Sequence, residues 1–283
     1  LDLLDSDVDE YIVKAGLAIA VLDEDPAADE LLYRHQLLQE YFAARILARQ
    51  PRPELVAAPW RAADISPTVP ERLASLAPAD SLPPLPQTGW EETTILAAAM
   101  TPDKEAFVRG LLPHSLTVAG RAAATPALRG LLSEGLLDEL RWALVARSRD
   151  READLRARIA AGLVLGDLGD PRFERRVGPH GDYLLPPLVD IPGGRYTIGD
   201  DEPISADNRG MPIKTTAHMP AHPLAIPAFR IGQFAVTNAE WACFMAAGGY
   251  DDERWWDTED GRRWRRGEMA NEAGKANNRH WRR

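Results

Sequence analysis

The pattern of the chain changes at Phe173, and that change limits what it can fold into more than any other feature. Before it, large apolar residues recur at helical spacing: Leu38, Phe42 and Ile46 in YRHQLLQEYFAARILA, then Leu155, Ile159 and Leu163 in READLRARIAAGLVLGDLGDP. Each set predicts a stripe along one face of a helix, that of Leu38, Phe42 and Ile46 a buried one. After Phe173, short β-prone runs such as LVDIPGGRYTIGDD and LAIPAFRIGQFAVT are punctuated by Gly and Pro, the pattern of short strands and turns. A chain of 283 residues with two such patterns predicts a multidomain protein: a mostly α-helical N-terminal two-thirds followed by an α+β domain.

Local signals divide it further. Residues 7–17 predict a short helix ended by Gly16, and LAIAVLDEDPAADELLYRH predicts a hairpin about the Asp-Glu-Asp-Pro turn. Nine prolines between Pro51 and Pro86 restrict that stretch to short helices and loops, because proline lacks the amide that a helix interior needs. Helical patterns resume at GWEETTILAAAM and LRGLLSEGLLDELRWALVARS, and GDLGDP stops the last of them. In TNAEWACFMAAGG, Thr237 followed three residues later by Glu240 predicts a capping box, with Gly248 and Gly249 as the stop. The expected divisions are 1–50, a Pro-rich connector over 51–90, a helical region over 91–180 and an α+β domain over 181–283.

A formal net charge of −10 and a pI near 5.2 exclude a general nucleic-acid binder, since little of the surface offsets phosphate repulsion. The 29 arginines against four lysines have the look of GC-rich coding bias. Cys243 is the single cysteine, so the fold needs neither an internal disulfide nor a cysteine-based zinc site, and a cytoplasmic location is expected. No apolar run approaches the ~18 residues of a membrane span. The acidic start LDLLDSDVDE lacks an initiator Met, and NNRHWRR closes the chain without a polar tail. Both ends are therefore expected to be cuts in a longer protein.

YRHQLLQEYFAA resembles the signature that closes the nucleotide-binding module of NACHT-type STAND NTPases, through Tyr33, His35, Gln39, Glu40, Tyr41, Phe42, Ala43 and Ala44. With the helix, hairpin, helix order, residues 1–50 resemble the winged-helix tail of that module. The resemblance implies that His35 approaches the β-phosphate of bound ADP, that the full-length protein uses ATP or ADP with Mg²⁺, and that it oligomerises when activated. Imidazole N–H chemistry allows that contact; the other reading is a packed histidine donating to a backbone carbonyl. Gln39 and Glu40 are expected to be structural, satisfying backbone groups or pairing with an Arg. No Gly-x-x-x-x-Gly-Lys-Ser/Thr run occurs, so the nucleotide partner would be held through a P-loop domain upstream of Leu1, and this piece alone is expected to be inactive on ATP. The Gly-Asp-Pro turn after paired helices resembles HEAT-type repeats.

The last third is similar to the start of a formylglycine-generating-enzyme, or sulfatase-modifying-factor, domain. The residues that carry this are Ile191 to Gly199, Pro220 to His222, Phe229 to Gly232, Val236 to Asn238 and Gly248 to Tyr250. The resemblance implies a C-type-lectin-like fold rich in loops and Trp, incomplete in this chain. Oxidase members of the family bind copper through paired cysteines near the domain end, and others form sulfoxides with a non-haem iron. Copper or iron is thus expected only with a complete, active domain, and no catalytic or metal-binding residue is assigned here. Cys243, between Trp241 and Phe244, is expected to be a buried inert thiol, and His218 with His222 on an extended segment is a poor metal pair. Five of the eight Trp lie between Trp241 and Trp281, interleaved with Arg262, Arg263, Arg265 and Arg266; they fill a loop-rich core or form a stacking platform. GDDEPISADN reads as a solvated loop or a Ca²⁺ loop. The expectation is a bacterial STAND signalling protein whose last domain senses a small or protein ligand or acts as effector, with no membrane partner. The alternative is a metal-dependent formylglycine-generating-type oxidase, acting on a peptidyl cysteine or small thiol, with a helical regulatory region.

Overall fold

The computed structural model describes residues 10–25, 30–77, 80–202, 204–206, 212–216 and 218–268. The chain divides into two units, Leu1–Asp170 and Pro171–Arg283.

In the first unit, α1 (Glu10–Ala18) leads to the antiparallel strands β1 (Leu22–Asp25) and β2 (Glu30–Tyr33), then α2 (Gln36–Arg49). The helix, hairpin, helix order is as expected, but α1 runs through Gly16 to Ala18. Pro26, placed in the expected turn, lies outside the described residues. The buried face of α2 is Ala44, Leu47 and Ala48, whereas Leu38, Phe42 and Ile46 are only half-buried. Small side chains lie on that face because α2 packs on α4 (Glu91–Met100), which contributes the buried Ala97 and Ala98.

The Pro-rich stretch holds two 3₁₀ turns and α3 (Val69–Ser75), whose Thr68 and Glu71 form a capping box. The remaining helices are α5 (Lys104–Leu111), α6 (Leu116–Ala124), α7 (Glu134–Arg149) and α8 (Leu155–Leu168). Helix α6 packs against α4, α5, α7 and α8. Asp103 and Ser133 cap α5 and α7 by accepting from the amides of Ala106 and Leu136.

The stripe of α8 lies along one face of the helix as expected, but that face is not the buried one. Leu155, Ile159 and Leu163 are 43%, 49% and 69% exposed, while Ala157, Ala161, Val164 and Leu165 are buried. Where α6 meets α8, a Cβ on Gly120 would lie 2.5 Å from Val164 Cγ1 and 3.5 Å from Leu168 Cδ1, so the close helix approach requires the small residue there. At the start of α8 the buried Asp154 accepts the Arg156 amide at 2.8 Å and pairs with its guanidinium at 2.9 and 3.0 Å. The Asp154 amide donates to the Trp60 carbonyl at 2.9 Å and Arg156 Nη2 reaches the Pro67 carbonyl at 3.5 Å, tying the Pro-rich connector to the helices.

The second unit begins earlier than the helical region was expected to end, because β3 (Glu174–Gly178) and β4 (Gly181–Leu185) form a hairpin. The strands β5 (Leu188–Ile191), β6 (Gly194–Ile198), β7 (Ile204–Ala206), β8 (Pro212–Thr215), β9 (His222–Ile226) and β10 (Phe229–Gly232) follow, with helices α9 (Asn238–Ala246) and α10 (Glu259–Arg266). The described strands form small two-stranded antiparallel sheets, and α9 packs on β4. The Thr237 and Glu240 capping box of α9 forms as expected. Among the described residues, no helix is long and apolar enough to cross a membrane.

Candidate functional site

The motif segments of the second unit meet through strand pairing. Ile191 at the end of β5 pairs with Phe229 at the start of β10, and Gly194 at the start of β6 pairs with Ile226 at the end of β9. Two strand–linker–strand arms therefore run antiparallel, joined at Pro192-Gly193 and Pro227-Ala228. The linkers approach so closely that a Cβ on Gly193 would sit 2.9 Å from the Ala228 amide nitrogen. Gly199, which ends the first arm, has a φ of +86°, and a Cβ there would lie 2.1 Å from the His218 carbonyl. Glycine is demanded at both places by space, and at Gly199 by backbone conformation as well.

Around this arch the polar groups are mostly spent on the backbone. His218 Nε2 lies 2.8 Å from the Glu202 carbonyl, and His222 Nδ1 lies 2.9 Å from the Pro220 carbonyl. Asp201 accepts the Ala221 amide at 3.1 Å, and Asp200 folds over the amides of Asp201 and Glu202 at 2.7 and 3.2 Å. The acidic loop at 200–202 thus satisfies its own turn; Asp207 and Asn208 of the expected Ca²⁺ loop lie outside the described residues. Among the described residues, no group of three or more His, Cys, Asp or Glu side chains could hold a metal ion.

A cleft of about 500 Å³ opens between the β3–β4 hairpin and α9, lined by Arg175, Asp182, Ala239, Ala242, Cys243 and Ala246. Arg175 pairs with Asp182 at 3.2 Å. Cys243 is half-buried and lines this cleft, which corrects the expectation of a buried thiol: the alanines on either side are too small to cover it.

Most described tryptophans of this unit join a ring cluster. Trp256 and Trp264 stack with centroids 5.1 Å apart, Tyr250 bridges them to Trp241 and Phe244, and Trp256 Nε1 donates to the Gly249 carbonyl at 3.2 Å. Arg265 donates to the Tyr250 and Asp251 carbonyls at 3.1 and 2.8 Å. Rings that spend their faces on one another and an Arg that spends its donors on backbone and on the Glu253 carboxylate make a local core, not an open platform. Trp255 stands apart, exposed and edge-on to His180 at 5.5 Å. Beside it Asp252 pairs with Arg254, whose hydrogen bonds hold the Asp252 carboxyl down to about 2. Trp281 lies outside the described residues.

In the first unit, His35 is the N-cap residue of α2 and is exposed, with extended backbone and no side-chain cap bond. Among the described residues Glu40 pairs with no Arg: its carboxylate accepts from Gln36 Nε2 at 2.8 Å, one helical turn earlier. The β3–β4 hairpin escaped the sequence reading because ERRVGPHGDYLL has no apolar alternation; its one signal was Gly178 and Gly181 flanking Pro179-His180.

Residues 175–280 match the family described as the sulfatase-modifying factor enzyme 1-like domain. The chain is 43% identical over 98 residues to a hercynine oxygenase of Mycolicibacterium smegmatis, an alignment covering 34% of this chain and 20% of that protein. Hercynine oxygenases of Mycolicibacterium thermoresistibile and Mycobacterium tuberculosis are each 48% identical over 56 residues, 20% of this chain and 10% and 11% of theirs. The chain thus spans about a fifth or less of the length of these curated relatives. No solved structure matches it. These similarities favour the oxidase alternative and give no support to the NACHT and winged-helix readings. A sulfatase-modifying factor enzyme 1-like domain is present in the second unit.

Proposed function

We propose that the chain carries part of a metal-dependent oxidase of the sulfatase-modifying-factor type, with the helical unit in a regulatory role. The single observation that carries this reading is the 43% identity over 98 residues to a hercynine oxygenase; the family match over residues 175–280 accords with it. By that likeness the substrate is hercynine or a cysteine thiol, and the oxidant is dioxygen. The metal is iron or copper. The described residues do not fit it as ligands, because His218 and His222 face backbone carbonyls and Cys243 stands alone. Its ligands would lie outside them, and the described part of the domain would supply framework and a cleft for substrate. The test is oxygen uptake by the complete gene product, supplied with ferrous iron or with copper, in the presence of hercynine or a cysteine-containing peptide. Substrate-dependent uptake is expected; none with either metal and either substrate would overturn the reading.

A nucleotide switch is the second reading, favoured by the helix, hairpin, helix order and by the exposed His35 at the N-terminus of α2. It holds that the full-length protein binds ADP through an upstream P-loop, with His35 touching phosphate, and that it oligomerises when activated. Its domains are a winged-helix tail over 1–50, a connector over 51–90, HEAT-like helices from 91 to the end of α8 at Leu168, and the sulfatase-modifying-factor-like domain in the second unit. His35→Ala would then lower the ADP retained by the full-length protein; unchanged retention would remove His35 from the site.

A further inference from the structure

A cavity of about 270 Å³ lies within the helical unit, near the low end of the range for small-ligand sites. Tyr33 from β2, Phe42 and Ile46 from α2 and Trp90 at the start of α4 line it, together with Gln36 and Glu40. The Tyr33 and Phe42 rings stack with centroids 5.8 Å apart and planes inclined by 25°, so the aromatic wall is held by its own packing. Trp90 packs against the main core.

The charge in this hollow is one-sided. Among the described residues of the lining, Glu40 is the carboxylate and there is no Lys, Arg or His. Among the described residues no cation pairs with Glu40, whose hydrogen bond comes from the neutral Gln36. An anion would be repelled there. A bare divalent metal would find one carboxylate where it needs six or more oxygens. A cation with an apolar skin meets both demands, since aromatic faces attract it through their quadrupoles and a carboxylate supplies the counter-charge in a partly enclosed, low-dielectric place. We propose that this cavity binds a small alkylated ammonium compound, with Glu40 as counter-charge and Tyr33, Phe42 and Trp90 as walls. The site is independent of the oxidase reading, which concerns the second unit.

Calorimetric titration of the 283-residue chain with choline, and with its neutral isostere 3,3-dimethyl-1-butanol, tests the proposal. Choline is expected to bind at millimolar concentration or below while the isostere does not. Glu40→Gln is expected to weaken choline about tenfold, a factor equal to about 1.4 kcal/mol, and Trp90→Phe to weaken it several-fold. Glu40 is half-buried and outside the main core cluster, and matching thermal melts of variant and parent verify that the fold is kept. Trp90→Phe retains a ring for packing and serves as the second variant. No heat with choline, equal binding of the isostere, or unchanged affinity in both variants would overturn the proposal.

Discussion

Removing the Asp154 carboxylate is expected to be the most damaging single change at the junction of the connector and the helical unit. Asp154 and Arg156 are 2% and 6% exposed. Asp154→Ala deletes the acceptor of three hydrogen bonds, at 2.8, 2.9 and 3.0 Å, and leaves a buried guanidinium that cannot lose its charge. Among the described residues, the weak 3.5 Å contact from Arg156 to the Pro67 carbonyl is the hydrogen bond its side chain keeps. Breaking a buried pair from one side costs about 3–5 kcal/mol, and the lost helix cap is about 1 kcal/mol of that change. With a urea slope of about 2 kcal/mol/M, the midpoint should fall by about 1.5–2.5 M. Far-ultraviolet circular dichroism reads the helices directly. The double variant Asp154→Leu with Arg156→Met removes both charges and should recover most of the loss, since apolar replacement of a buried pair is often neutral or better.

The pH dependence gives a second readout of the same pair. Hydrogen bonding from the Arg156 side chain is the leading reason the Asp154 carboxyl is held below its ordinary value, with burial opposing it. A depressed folded value means stability that is fully present above the unfolded carboxylate value of about 3.9 and is lost as pH falls through the folded one. Asp154→Ala should lack that acid-side loss. A cost under about 1 kcal/mol, or a double variant as unstable as Asp154→Ala, would refute the reasoning.

At Gly199, substitution by Ala should destabilise the second unit by at least about 1–3 kcal/mol, because φ is +86° and the Cβ would meet the His218 carbonyl; earlier proteolysis of residues 171–268 on heating would report it. Thr237→Ala should cost about 1 kcal/mol through loss of the α9 capping box, visible as a lower melting temperature, whereas Thr237→Ser should cost little. Burial works to raise the Glu91 carboxyl, but amide and hydroxyl donors from Thr88 and Gly89 outweigh it and hold the value low. Glu91→Gln should therefore cost about 1 kcal/mol at neutral pH, and the difference from the parent should vanish as pH falls through the folded value, as urea titrations across acid pH would reveal.

What the sequence alone determined about this protein is local. Prolines 51–86 limited the connector to 3₁₀ turns and the short α3, Thr237 with Glu240 started α9, and Gly-Asp-Pro ended α8, because backbone and capping preferences act over a few residues. The glycines at 193 and 199 were legible as part of a motif, but their reason was not: it is the close passage of backbone far along the chain, at Ala228 for Gly193 and at His218 for Gly199. Which face of a helix is buried was likewise decided by the partner. The apolar stripes of α2 and α8 are helical as read, but neither is the buried face, since α4 meets α2 with Ala97 and Ala98 and α6 meets α8 at Gly120. The same holds for side-chain partners. Glu40 finds Gln36 and faces a cavity, and Cys243 faces a cleft. Burial and partnership depend on which segments meet, and only the tertiary structure brings distant segments together.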